Sequence, residues 1–205
     1  MNKKLLILLS VFCLAGLTVI GQENDKKSTN TENPDSVYVI GKGRIVYKNK
    51  IYRQNAPYLT AGYGAGYSFE SKKIEQDMSA SFQYFFPKFG LQIGYHTSSD
   101  TKIWWKSYQK LNDLFLGVGK RWENTRYNFA VFGGPTWSYG NYLVTDSTYQ
   151  GFHSLAFRGE ALATYKLSYD VGVGLSLCTS VNKDYSTVAA QIHLFFSTAF
   201  IRNNY

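Results

Sequence analysis

The stretch YLTAGYGAGYSF, residues 58–69, alternates bulky apolar or aromatic side chains with very small or polar ones. A period of two is the pattern of a β-strand, because successive side chains of a strand point to opposite faces. One parity carries Leu59, Tyr63 and Tyr67, and from Thr60 onward the other carries only threonine, serine and glycine. The stretch therefore predicts a strand with a bulky apolar face and a nearly bare opposite face.

Seven further runs follow with the same alternation, within residues 77–86, 89–96, 113–122, 127–139, 155–166, 169–177 and 187–200. In a soluble barrel or sandwich the polar face meets water and carries many Lys and Glu residues. Here that face is mainly Gly, Ser, Thr, Asn and Gln, which suits a tight polar lumen with lipid outside. We predict an all-β fold, a transmembrane eight-stranded antiparallel up-and-down β-barrel with short periplasmic turns.

Composition excludes several other classes of protein. The 205 residues are 44% hydrophobic and 17% aromatic, which is too apolar and aromatic for a disordered chain. After the N-terminal segment no run of 18 apolar residues remains, so a bundle of membrane-spanning helices is excluded. Two cysteines are too few for a disulfide scaffold or a zinc site built from cysteines. We expect one folded domain with no cofactor and no bound metal.

The N-terminal segment has the pattern of an export signal. Lys3 and Lys4 precede an apolar stretch, residues 5–20, and Gly21 provides the small residue that signal peptidase prefers. A transmembrane anchor is the alternative, but the stretch is short and contains polar residues. We therefore expect a signal peptide at 1–21, a periplasmic extension at 22–55 and the barrel at 56–205.

The connections between the runs alternate in length. Short connections at 87–88, 123–126 and 167–168 alternate with generally longer ones at 70–76, 98–112, 140–153 and 182–186. Short periplasmic turns and longer outer loops are typical of outer-membrane barrels, and an even strand count places both termini in the periplasm. Aromatic residues of outward parity near the short connections predict an interfacial girdle: Phe86, Phe89, Trp122, Tyr127, Tyr165, Tyr169 and Phe200.

With this patterning, residues 56–205 and the signal before them resemble the small eight-stranded outer-membrane barrels of the OmpA and OmpX type. A mature chain starting at Gln22 further resembles exported proteins of Bacteroidota. The resemblance implies an outer-membrane protein of the Gram-negative cell envelope, in contact with membrane lipid and lipopolysaccharide. It also implies a monomeric barrel, unless the chain belongs to a complex, with a structural, surface-binding or interaction role.

Charged residues of inward parity predict how the lumen is filled. An eight-stranded barrel has an interior just wide enough for side chains. Buried charges persist when they are paired, so we expect an ion-pair network that plugs the lumen. The alternative is a narrow gated path or a small-ligand site. The predicted network comprises Asp77, Asp113, Arg121, Arg158, Glu160, Lys166 and Asp170.

One set of residues has the composition of a hydrolytic site. His96, Ser98 and Asp113 supply an imidazole, a hydroxyl and a carboxylate, the parts of an activated acyl-transfer nucleophile. Residues 96–122 resemble the lipid A deacylase family, and that resemblance implies His96 as base, Ser98 as nucleophile and Asp113 as orienting carboxylate. The family acts at the outer face of its barrel, whereas the parity of His96 and Ser98 points inward. We therefore expect no enzymatic activity and keep the hydrolase as the minor alternative.

Two segments are candidates for binding. The first, within residues 37–53, predicts a short hairpin in which aromatic and aliphatic residues separate five cations: Lys42, Arg44, Lys48, Lys50 and Arg53. It is either a solvated segment beside the inner-leaflet phosphates or a docking element for an envelope protein. The second contains Trp104, Trp105, Lys106 and Tyr108, a set that suits lipopolysaccharide headgroups or a protein partner.

Each segment has a further interpretation. The tryptophans of the second segment can instead pack at the outer membrane interface. Docking through residues 37–53 would make the chain an accessory subunit of a larger outer-membrane export or assembly complex. We expect no nucleic acid partner in that compartment.

Overall fold

The computed structural model describes residues 38–39, 44–47, 50–100, 110–145, 148–183 and 185–199, with the backbone alone at 38–39 and 142–149. Every regular element within these ranges is a β-strand. No helix in this part of the chain is long and apolar enough to cross a membrane. The signal peptide at 1–21, Lys42, Lys48, the tryptophan segment at 101–109 and Phe200 lie outside the described residues.

A small antiparallel sheet precedes the barrel. It consists of β1 (Tyr38–Val39), β2 (Arg44–Tyr47) and β3 (Lys50–Arg53), in that order. Ile45 and Tyr52 are direct cross-strand partners and both are buried. They pack with Ala56, Tyr169 and Ala199, three residues at one end of the barrel. This N-terminal sheet is therefore folded against the barrel end.

Eight longer strands form a closed antiparallel barrel, which confirms the predicted fold. They are β4 (Tyr58–Ser68), β5 (Lys73–Phe85), β6 (Gly90–Ser99), β7 (Lys110–Glu123), β8 (Tyr127–Thr145), β9 (Thr148–Lys166), β10 (Val171–Val181) and β11 (Ser186–Ser197). Each strand pairs with the next along the chain, and β11 pairs with β4 to close the barrel. Tyr58, the first residue of β4, lies opposite Ser197, the last residue of β11. We call this end of the barrel the terminal end.

The two faces of the barrel wall have opposite character. Large apolar side chains on the outer face of every strand are exposed, including Ile93 at 61% and Leu175 at 65%. Buried side chains on the inner face are largely polar or charged, and Arg158, His96 and Gln191 are among the largest that are fully buried. A water-soluble barrel has its polar side chains outside and its apolar side chains inside, so this distribution is the inverse. The two faces also agree with the alternation in the sequence.

Aromatic side chains cluster around the terminal end. The rings of Phe86 and Phe89 stack with centroids 4.9 Å apart, and those of Tyr127 and Tyr165 meet edge-on at 5.5 Å. The prediction for Tyr169 is wrong, because its side chain is buried against the N-terminal sheet instead of facing outward. Tyr169 belongs to the 167–170 turn, where strand parity no longer sets the direction of a side chain.

The prediction of longer connections at 70–76 and 182–186 is wrong, because the strands leave only residues 69–72 and 182–185 between them, as few as in the turns of the terminal end. At the terminal end the turns are short, at 86–89, 124–126 and 167–170. At the opposite end, most of the segment predicted as a loop at 140–153 is strand, because β8 and β9 each run for 19 residues. Their neighbours β7 and β10 stop pairing at Asn141 and Phe157, so the tip of the β8–β9 hairpin extends past them.

Candidate functional site

The lumen is the candidate site, and it is narrow because an eight-stranded barrel has an interior just wide enough for side chains. Glycines let neighbouring strands of its wall approach closely. A Cβ added to Gly64 would collide with the backbone of Ala190 and Gln191 on β11. One added to Gly174 would collide with the backbone carbonyl of Ala163 on β9. Adjacent strands therefore approach more closely at these positions than any larger residue allows.

A central charge cluster, defined as Asp77, His96, Asp113, Arg158 and Glu160, fills the middle of the lumen. His96 on β6 lies directly opposite Asp113 on β7, and its Nδ1 is 3.4 Å from an Asp113 oxygen. Its Nε2 is 2.5 Å from Oδ2 of Asp77 on β5. The imidazole is thus held between two carboxylates supplied by the strands on either side of it.

Arg158 is the fixed cation of this cluster and is only 1% exposed. Its guanidinium lies 3.7 Å from Asp113 and 3.9 Å from Glu160, over the ring of Phe115. Gln92 donates a 3.2 Å hydrogen bond to the Glu160 carboxylate. The cluster contains three carboxylates against one guanidinium and one imidazole.

A second group of polar residues lies nearer the end of the barrel that is opposite the terminal end. Ser98 donates a 2.6 Å hydrogen bond to Glu75, and the Tyr185 hydroxyl donates to the other oxygen of the same carboxylate. Ser98 is therefore hydrogen-bonded to Glu75, while the two ring nitrogens of His96 face Asp77 and Asp113. The serine–histidine hydrogen bond that activates an acyl-transfer nucleophile is not formed between these two residues.

A third group lies in the lumen at the terminal end. Glu123 pairs with both Arg121 and Lys166. The Arg121 guanidinium also lies 5.0 Å from the ring centroid of Tyr58 and 4.8 Å from that of Phe85. The same guanidinium donates a 3.0 Å hydrogen bond to the backbone oxygen of Ala56, so the segment entering the barrel is tied to the lumen wall.

A cavity of about 10 Å³ adjoins His96, Arg158 and Glu160. That volume is about the space needed for one water molecule. An apolar patch on the inner wall, Phe115, Ala130, Phe132 and Leu162, occupies the space beside the charges.

The structure brings together some of the predicted lumen residues and separates others. Asp77, Asp113, Arg158 and Glu160 meet in the central cluster, and Arg121 and Lys166 share Glu123 at the terminal end. Asp170 lies in the 167–170 turn, outside the strands. Glu75 and Glu123 were missed as lumen residues. Both fell in segments interpreted as connections, although each shares the inward parity of its strand.

The outer face of the N-terminal sheet carries exposed cations. Arg44 and Arg53 are direct cross-strand partners, and both are exposed. They lie on the face opposite the buried Ile45–Tyr52 pair. Like charges placed directly opposite each other are destabilising, so this face favours an anionic neighbour.

The buried face of the sheet is aromatic. The rings of Tyr52 and Tyr169 have centroids 4.6 Å apart. Burial raises the pKa of both phenols, and the Glu123 carboxylate raises that of Tyr169 further. Both hydroxyls therefore stay protonated at neutral pH and add no charge to this contact.

No protein-family model matches the sequence, and no curated protein matches it significantly. Solved structures do share its fold. Neisserial surface protein A aligns with a TM-score of 0.54 at 8% identity, covering 69% of this chain and 95% of that one. Ail of Yersinia pestis aligns at 0.52 and 9% identity, covering 70% and 99%. The N-terminal barrel domain of Pseudomonas aeruginosa OprF aligns at 0.51 and 12%, covering 69% and 97%. The predicted resemblance to small eight-stranded barrels is confirmed at the level of the fold.

Proposed function

We propose that this chain is an outer-membrane β-barrel that works as a structural or surface-binding protein with a plugged lumen. The observation that carries the proposal is the inverted wall: exposed apolar side chains outside on every strand, and buried charges inside. Only lipid makes such an exterior favourable, and a closed barrel leaves no unpaired strand edge within lipid.

The proposed orientation places both termini in the periplasm. The opposite end carries the hairpin of the two 19-residue strands β8 and β9 and the ten-residue connection between β6 and β7, as the outer end of such barrels does. The terminal end carries the aromatic pairs Phe86–Phe89 and Tyr127–Tyr165, which suit a membrane interface. The signal peptide at 1–21 would deliver the chain, and residues 22–55 would lie below the inner leaflet.

The filled lumen argues against a general porin. The central cluster and the Arg121–Glu123–Lys166 group obstruct it at two levels. In this proposal the protein is also not an enzyme, which agrees with the bonding of Ser98 to Glu75 instead of His96.

Conductance in planar lipid bilayers tests the plugged lumen. We expect the inserted full chain to give no steady conductance steps, with insertion verified by protease protection of the strands. Steady ion-selective steps would show an open path and overturn this part of the proposal.

Binding would occur at the ends of the barrel. The end that would face the exterior is the one at which β8 ends and β9 begins, and at which β6 ends before residues 101–109. Trp104, Trp105, Lys106 and Tyr108 remain the proposed contacts to lipopolysaccharide or a protein. Replacing the two tryptophans by serine should reduce retention on lipopolysaccharide-coated beads, while the heat-shifted gel mobility of the barrel is unchanged. Equal retention of the variant and the native chain would remove these residues from the proposal.

A second candidate function is that of an accessory subunit of an envelope complex. The observation that favours it is the exposed Arg44–Arg53 pair on a sheet that is itself fixed to the barrel by buried aromatic contacts. A rigidly presented basic face is suited to docking on an acidic partner as well as on anionic lipid.

Extraction in mild detergent followed by a native gel separates the two functions. A single species near the mass of one barrel supports the free-standing protein. A large stoichiometric complex that dissociates when Arg44 and Arg53 are replaced by glutamine supports the subunit.

A further inference from the structure

Three chemically different donor atoms meet inside the lumen. A carboxylate oxygen of Asp77, a ring nitrogen of His96 and the thiol of Cys178 all lie within 4.8 Å of one another. The three side chains are buried, and they come from β5, β6 and β10. Because β10 is not adjacent to β5 or β6, the narrow lumen itself creates this cluster.

The surroundings of His96 resemble those of a metal-binding histidine. Its Nε2 faces Asp77, and its Nδ1 lies 3.4 Å from the Asp113 carboxylate. Metal-binding imidazoles commonly donate their second ring nitrogen to a carboxylate, which fixes the ring orientation. Asp113 is held in turn by a 2.6 Å hydrogen bond from Ser138. A carboxylate that could serve as the outer partner of such a site therefore lies beside the ring, 3.4 Å from Nδ1.

The charge balance of the lumen also favours a cation. Among the described residues, Asp77, Asp113 and Glu160 face one guanidinium, that of Arg158, and one imidazole. Even with the imidazole charged, the buried cluster has one more negative than positive group. Uncompensated buried charge is costly, and a bound cation supplies positive charge that these side chains lack.

We propose that Asp77, His96 and Cys178 bind a divalent cation of the zinc class. Oxygen, nitrogen and sulfur donors together suit Zn²⁺, which takes ligands at roughly 2.0–2.3 Å in a tetrahedron. The donors lie within 4.8 Å of one another, and His96 Nε2 and Asp77, now 2.5 Å apart, separate to admit the ion. A water molecule completes the coordination. The ion links three strands across the lumen and stabilises the closed barrel.

Metal content and a thiolate-specific signal test the site on the full chain, folded in detergent under reducing conditions. We expect about one Zn²⁺ per chain after desalting, measured by elemental analysis. Substituting Co²⁺ should give a thiolate-to-metal charge-transfer band. Cys178→Ser should abolish that band and weaken Zn²⁺ binding at least about tenfold, and His96→Asn should weaken it similarly.

Two control variants separate this site from nonspecific binding. Ser180→Ala changes another buried residue of the same face of β10, and His153→Asn removes an exposed histidine. Both should bind Zn²⁺ like the native chain. The proposal is overturned if the native chain holds no stoichiometric Zn²⁺, if the Co²⁺ form lacks the band, or if folded Cys178→Ser binds Zn²⁺ unchanged. Heat-shifted gel mobility verifies folding, and the Cys178→Ser result decides the question even if His96→Asn does not fold.

Discussion

Arg158 is the buried cation of the central charge cluster. Among the described residues it supplies the one guanidinium near Asp113 and Glu160. Removing one member of a buried ion pair leaves its partners desolvated and unpaired, at a cost of about 3–5 kcal/mol. We therefore expect Arg158→Met to lower the free energy of unfolding by that amount, measured by urea titration in lipid vesicles. Arg126→Met, in an exposed turn, is the control. Equal stability of the two variants would contradict the paired-charge interpretation.

Gly64 tests the close approach of neighbouring strands. A Cβ at this position meets the backbone of β11, which cannot rotate away as a side chain can. Overpacking of this kind typically costs about 1–3 kcal/mol, so Gly64→Ala should lower the urea midpoint. At Gly159 an added Cβ meets only a methyl group of Thr179, at 3.6 Å. Gly159→Ala should therefore leave the midpoint nearly unchanged, and a similar loss in both variants would argue against backbone crowding.

Individual strands were predictable because their information is local. Alternation in residues 58–69 is a property of neighbouring positions, and the structure reproduces it in the exposure of Leu59 and Tyr63. Tyr169 was mispredicted because its direction depends on Tyr52, more than a hundred positions away in the chain. The ion-pair partners also depend on register. His96 faces Asp113 because of how β6 pairs with β7, which parity alone does not determine.

The lipid exposure of the strands can be tested by depth. Ile192 lies in the middle of β11 and is 62% exposed, whereas Leu167 is exposed in the turn before β10. Arginine costs about 2–4 kcal/mol at the bilayer midplane and about 0–1 near the interface. In lipid vesicles Ile192→Arg should therefore destabilise the barrel much more than Leu167→Arg. Equal effects of the two substitutions would indicate that this wall does not face lipid.

The N-terminal sheet is fixed to the barrel mainly by one of its faces. Tyr52 is buried against Tyr169, while Ile51 lies on the opposite face of β3. We expect Tyr52→Ser to speed proteolytic cleavage within residues 38–55 several-fold without changing the heat-shifted mobility of the barrel. Ile51→Ser should have a smaller effect. Equal cleavage rates in Tyr52→Ser and the native chain would mean that the aromatic contact does not fix the sheet.

In the whole molecule, the alternation of apolar and polar side chains along each strand produces both the apolar outer wall and the polar lumen. Closure of β11 on β4 removes the free edges of the sheet, and the narrow lumen forces charges from several strands into contact. The small sheet then packs across the terminal end through Tyr52 and Tyr169. Together these features describe a barrel that is held by lipid outside and by paired charges inside.

We propose above that this barrel is embedded in the outer membrane. To test this, cells that produce the full chain are fractionated and their outer membranes are washed with alkaline carbonate. We expect the protein to remain in the membrane pellet and to shift its gel mobility on heating, as a folded barrel does. Release of the folded protein into the supernatant would show that the barrel is not embedded, because a barrel with this apolar exterior cannot leave lipid for water.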